Sequence, residues 1–148
     1  MVGLNFSRSL PEQFQNFRNF HDPTPRANDF KIRYAFTNTA YYGAYMTDIV
    51  KNFPMLKSAA VLKHLRTSPS LLRTNLDAFR EELQDLNAQR PSIFAFGWAA
   101  HELLDKNLHP NEYSTLIRLT HYSHQIGKES YRETVLTQIR SRTAVPGR

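Results

Sequence analysis

The chain has 148 residues, enough for one domain around a single core, and a domain of this size buries roughly two thirds of its unfolded surface. It contains no cysteine, which excludes disulfides, thiolate zinc sites, cysteine nucleophiles and iron–sulfur clusters together and fits a reducing, cytoplasmic compartment. The net charge of +6 comes wholly from residues 1–73, with ten Lys/Arg against four Asp/Glu, whereas residues 74–148 carry nine of each; the imbalance favours a polyanionic partner, with plain solubility as the simpler reading.

The first apolar run, Val2 to Leu4 (VGL), reads as a strand that meets polar residues at Asn5 and Ser7. A strand this close to Met1 is expected to be central in its sheet and lacks residues leading into it, which points to a start upstream or to a shortened, less stable copy. A loop follows around His21 to Asn28 (HDPTPRAN), where Pro and Asx residues favour turns. The second strand is Ala44 to Val50 (AYMTDIV).

From Ser70 to Gln89, Leu72, Leu76, Phe79, Leu83 and Leu86 recur at intervals of four and three, which predicts one helix with a continuous apolar stripe, stopped before Pro91. The third strand is Ser92 to Phe96 (SIFAF), followed beyond Gly97 by a short helix from Trp98 to Asp105. The fourth is Thr115 to Thr120 (TLIRLT). After Gly127 a last helix is expected, with Ser130 and Glu133 as a capping box and Tyr131, Val135 and Ile139 facing inward. The tail after Ile139 (RSRTAVPGR) reads as a frayed end, leaving one domain over residues 1–140.

Strands apolar on both faces, alternating with helices, predict a three-layer α/β/α sandwich around a four-stranded, mostly parallel sheet. No apolar run reaches the ~20 residues of a membrane helix, and the N-terminus lacks the pattern of a secretory signal.

In such sheets ligands bind beyond the carboxyl ends of the strands. The exits carry Asn5, Phe6 and Ser7; then Asp48 and Lys51; then Gly97, with Trp98 and His101 beyond; and finally His121, Tyr122, Ser123 and His124. The entries around Gly43, Pro91 and Tyr113 hold no comparable cluster. Asn5 could simply cap a turn, Gly97 could serve only a tight turn, and His101 reads as a surface or packing residue. Asp48 inside an apolar strand needs donors, from Thr47, Lys51 or backbone N–H groups, and fits structural pairing or site work equally. A metal held by His121 and His124 with Asp48 or His101, and a Ser–His hydrolase built on Ser7 or Ser123 with His121, are both poorly matched by the spacing.

A strand exiting into Asn-x-Ser at one end of the chain and another exiting into His-x-Ser at the other resembles the uracil-DNA glycosylase superfamily over nearly the whole chain. Gly3-Leu4-Asn5-Phe6-Ser7 is similar to the water-positioning motif of its mismatch-specific branch, and His121-Tyr122-Ser123 to its last motif. Tyr45 to Lys51 (YMTDIVK) and IFAFGWAAHELL are similar to its second and third strand segments. The resemblance implies excision of a flipped uracil or related base from DNA by N-glycosidic cleavage, without a cofactor or metal, in a chain favoured to be monomeric. Asn5 would position the water, which it cannot deprotonate at neutral pH, and His121 would donate a hydrogen bond to the leaving base. The substrate would lie among Leu4, Phe6, Ser7, Phe20, His21, Asp48, Lys51, Gly97, Ser123 and His124. Phe20 is the expected stacking aromatic, with Phe17 or Phe6 as substitutes and a core position as the alternative. Phe6 and Tyr122 stand where the family motifs carry proline, which leaves two further expectations open: a nucleic-acid or nucleotide-binding module of the same fold, and a hydrolase of small nucleosides or nucleotides.

Overall fold

The computed structural model describes residues 1–5, 20, 27–51, 53, 55 and 57–143. Along them run β1 (Val2–Asn5), α1 (Phe30–Phe36), β2 (Thr47–Val50), α2 (Ser58–Thr67), α3 (Pro69–Asp85), β3 (Ser92–Phe96), α4 (Gly97–Asn107), β4 (Thr115–Leu119) and α5 (Lys128–Thr143). The strands form one sheet in the order β2-β1-β3-β4, parallel at every pairing. The fold is the expected three-layer α/β sandwich, and β1 is central, hydrogen-bonded on both sides.

Successive side chains of a strand point to opposite faces, so each strand serves both layers. Phe94 and Phe96 join Ile117 and Leu119 under α1 and α5, where Ile32, Phe36, Tyr131, Val135 and Ile139 are buried. Ile93 and Ala95 join Val2, Leu4 and Ile49 under α2, α3 and α4, where Val61, Leu65, Leu76, Phe79 and Leu104 are buried. Removing a side chain such as Phe79, 1% exposed, costs about 3–5 kcal/mol through lost transfer energy and the cavity left behind.

Helix α3 begins on Pro69, whose fixed φ suits the first helical turn. Two polar contacts align it with β2. Buried Asn75 accepts from the Lys51 backbone N–H at 2.7 Å and donates to the Leu71 carbonyl at 2.8 Å; Thr47 Oγ1 donates to Glu82 at 2.8 Å. Asn75 therefore lies at the carboxyl end of β2 and Glu82 at its amino end, and α3 runs antiparallel to the strand.

Several boundaries differ from expectation. The second strand starts at Thr47 rather than Ala44, because a run of turns through Gly43, at φ +82°, precedes it. Helix α3 ends at Asp85, not Gln89: Asn87 takes φ +50°, and the Ala88 and Asn87 N–H groups turn back to the carbonyls of Leu83 and Gln84, closing the helix before Pro91 is reached. Leu86 consequently drops off the apolar stripe and is 47% exposed. Helix α4 extends to Asn107. Helix α5 starts at Lys128, which puts Ser130 inside it rather than at a cap, and continues through Thr143, so Arg140 to Thr143 are helical. Helices α1 and α2 have no counterpart among the expected elements. Among the described residues no helix is long and apolar enough to cross a membrane.

Candidate functional site

The order β2-β1-β3-β4 reverses direction between β1 and β3. The β1-to-β2 connection carries α1 on one face, whereas α2, α3 and α4 cover the other. In open parallel sheets the crevice for a ligand lies at such a switch point. Asn5 ends β1 on one side of it, and Gly97, at φ +83°, turns the chain from β3 into α4 on the other.

Register places His121 at the same edge. Val2 pairs with Ala95 and Ala95 with Arg118, and Asn5 and His121 each lie three residues beyond their paired positions. By register the two positions are level, on strands that flank β3.

The His121 ring is fixed on three sides. It lies across Gly97, where a Cβ would stand 3.5 Å from His121 Cβ and Cδ2. It stacks on Tyr122 at 4.3 Å and 25°, and Tyr122 in turn meets Phe96 edge-on at 5.5 Å. The Ser123 backbone N–H donates to Nδ1 at 3.2 Å, and Ser123 Oγ lies 2.8 Å from the same atom. An Nδ1 that accepts an N–H bond carries no proton, so the neutral ring holds its hydrogen on Nε2. Burial holds the His121 pKa below the ordinary histidine value. The result is a neutral imidazole with an oriented Nε2–H donor.

Asn5 is fixed as well. Its Nδ2 donates to the carbonyls of Phe53 at 2.9 Å and Met55 at 3.1 Å, in the chain leaving β2. Two carbonyl partners identify the nitrogen. The Phe53 ring stacks on His64 of α2 at 4.6 Å and 4°, so this corner is packed rather than loose.

The other expected residues are distributed more widely. Leu4 is buried on the opposite face, in the core under α2, α3 and α4, and does not reach the crevice. Phe20 is 7% exposed and packs in the α1 and α5 core, its ring tip 3.4 Å from where a Gly3 Cβ would be; the core position, not the edge, is where the structure places it. Asp48 is buried at 4%, its carboxylate filling the space above Gly3, its register partner. Together with burial and Asp29, Asp48 keeps the Tyr122 phenol above its ordinary range. Lys51 turns back along β2 to Glu82 at 2.6 Å and to Thr47 Oγ1 at 2.6 Å, meeting Asp48 only through its backbone carbonyl at 2.5 Å. Ser123 and His124 are exposed, and the His124 carbonyl accepts from Lys31 of α1, a lysine 6% exposed, at 3.0 Å. His101 is half-buried one turn into α4, its pKa lowered by burial. Phe6, Ser7, Phe17 and His21 lie outside the described residues.

Among the described residues no three His, Asp or Glu side chains are placed to hold a metal. The Ser123–His121 contact is a local two-residue turn, and among the described residues no carboxylate bonds Nε2 to complete a triad. Trp98, 55% exposed directly beyond Gly97, is the aromatic that sequence reasoning left out of the site.

The strand entries are not empty as expected. A cavity of about 600 Å³ opens beside α1, lined by Met1, Phe20, Phe30, Arg33, Phe36 and the segment Tyr41 to Met46. On the other face Tyr45, Thr47 and Glu82 form a polar cluster, in which burial and the Glu82 charge raise the Tyr45 pKa.

Neither a protein-family model, nor a curated protein, nor a solved structure matches this chain.

Proposed function

We propose that the chain is a DNA base-excision N-glycosylase of the uracil type, acting on a base flipped into the crevice between β1, β3 and β4. The observation that carries this reading is His121: a neutral ring with its proton on Nε2, held across Gly97 and level with Asn5. Hydrolysis of an N-glycosidic bond joins a water oxygen to the sugar C1′ while the bonding pair leaves with the base. The base departs as an anion, and the proton lost by water ends on the base or in solvent. A pre-oriented neutral N–H donor stabilises charge developing on a base carbonyl without bringing a competing cation into the ground state. Asn5, at the exit of β1, stands where the resemblance puts the water-positioning residue, and Trp98 offers an exposed face for stacking.

A second reading is a base-binding module without chemistry. Asn5 favours it, because its amide nitrogen tethers the chain after β2, a sufficient structural reason for the residue. A base-release assay on duplex and single-stranded oligonucleotides containing uracil separates the two. Release by the wild type, lost in both Asn5→Ala and His121→Ala, supports the enzyme; release unchanged in both ends the assignment of the site, and binding without release supports the module.

A further inference from the structure

The charge on this chain is ordered along the fold. Between Asp48 and Asp77 the sequence has no acidic residue and five cations, Lys51, Lys57, Lys63, Arg66 and Arg73. Lys51 is paired with Glu82. The other four are exposed, and among the described residues their side chains make no ion pair or hydrogen bond. Lys63 and Arg66 stand three apart on the outer side of α2, opposite the buried Val61 and Leu65. Lys57 precedes that helix, and Arg73 lies in the second turn of α3.

The orientation of α3 gives this cluster a direction. Asn75 holds its early turns at the carboxyl end of β2, and Glu82 its later turns at the amino end. Arg73 thus lies at the edge that bears Asn5 and His121, while Asp77, Glu81, Glu82 and Asp85 lie progressively towards the opposite edge. The basic strip also joins the crevice physically: His64, between Lys63 and Arg66 in sequence, stacks on Phe53, whose carbonyl holds Asn5.

From this geometry we infer that Lys57, Lys63, Arg66 and Arg73 form a phosphate track, on which the backbone of a nucleic acid lies as it approaches the crevice from the β2 side. The inference rests on the nucleic-acid reading above and adds the surface that reading lacks. Unpaired cations on a convex helical surface suit a run of phosphates, since each contact releases condensed counterions and no concave, shaped pocket is needed. A short acidic peptide could neutralise the same charges, but the strip's continuity with a site for a planar base favours a polymer that carries bases and phosphates together.

The test is the salt dependence of binding to a fluorescein-labelled DNA duplex containing one uracil, followed by anisotropy for the wild type, K63Q/R66Q/R73Q and R118Q/R140Q/R142Q. The second triple removes equal charge from exposed positions on β4 and α5. Each lost phosphate contact lowers the slope of log K against log salt by about one, so the track triple should lose about two to three from its slope and the control triple less than about one. Circular dichroism confirms that both triples fold. Equal losses in the two triples, no loss in either, no duplex binding by the wild type, or track-dependent binding to phosphatidylserine vesicles in place of DNA would each overturn the track. Base release is read separately. Wild-type binding along the track without release leaves the track standing and removes the enzyme, whereas release with an unaltered slope does the reverse; with both intact, the track triple raises KM and leaves kcat unchanged.

Discussion

His121 packs face to face with a missing side chain: a Cβ at Gly97 would stand 3.5 Å from two of its carbons, and Gly97 is at φ +83°. The conformation, more than the space, demands glycine, since an L-residue in the left-handed region costs about 1–2 kcal/mol. Gly97→Ala is expected to lower stability by that amount in urea denaturation and to displace the histidine, cutting base release by at least tenfold. Full activity in a destabilised Gly97→Ala protein would separate the turn from the site.

Gly3 makes a different demand. The Asp48 carboxylate already fills the place of its Cβ, with Phe20 behind, so Gly3→Ala has to move a buried polar group and is expected to cost about 1–3 kcal/mol by overpacking. In an Asp48→Ala background the added methyl meets the Phe20 ring tip at an ordinary 3.4 Å in place of the carboxylate. A double-mutant cycle should show Gly3→Ala costing at least 1 kcal/mol less there than in the wild type, roughly the coupling of residues in direct contact. Additive costs would show that the two do not compete for that space.

The half-buried imidazole sets a pH dependence. Its folded pKa lies below the ordinary 6.5, so above that value neither state gains a proton and His121 adds no pH dependence to stability. As pH falls through 6.5 the unfolded chain binds a proton that the folded site resists, and stability drops until the folded pKa is passed. His121→Gln should flatten the pH dependence of the urea midpoint below pH 6.5, by at most about 1.4 kcal/mol per pH unit. The same shift moves protonation of the ring below pH 6.5, so base release should halve at a pH lower than 6.5 rather than at it.

Asn5 joins stability to function. Losing two donor contacts to half-buried carbonyls costs about 1–3 kcal/mol, so Asn5→Ala should be measurably less stable as well as inactive. Asn5→Asp keeps the acceptor but loses the donors and sets a carboxylate against two carbonyls, and is expected to be less stable than the alanine variant at pH 7. The reverse order in thermal melts would show that the tether contributes little.

The sheet and its edge were legible in sequence because apolar density on both faces of SIFAF and TLIRL, with a four-and-three stripe between strands, has few other solutions. What was missed follows from physics that patterning does not carry. Helix α1 has seven residues and no side-chain cap, and α2 buries only Val61 and Leu65, so neither displays a stripe long enough to read. Asn87 ended α3 through a left-handed conformation that a search for proline overlooks. At the site, the edge bearing Asn5, Gly97 and His121 followed from strand exits alone. The burial of Phe20, the turn of Lys51 towards Glu82 and the exposure of Trp98 depend on tertiary neighbours distant in sequence.

The placement of β1 also has a cost in time. Val2 finds one neighbour in Thr47 and the other in Ala95, so β1 is made before both of its neighbours and gains its second flank only when β3 follows. Until the ribosome has delivered β3, an apolar strand with one open edge must wait on the partly made protein. Such long-range parallel pairing slows folding and leaves an unpaired edge open to other chains. Yield from the cell should therefore depend on how quickly residues 92–96 follow, more than on the strength of any single contact in the finished fold.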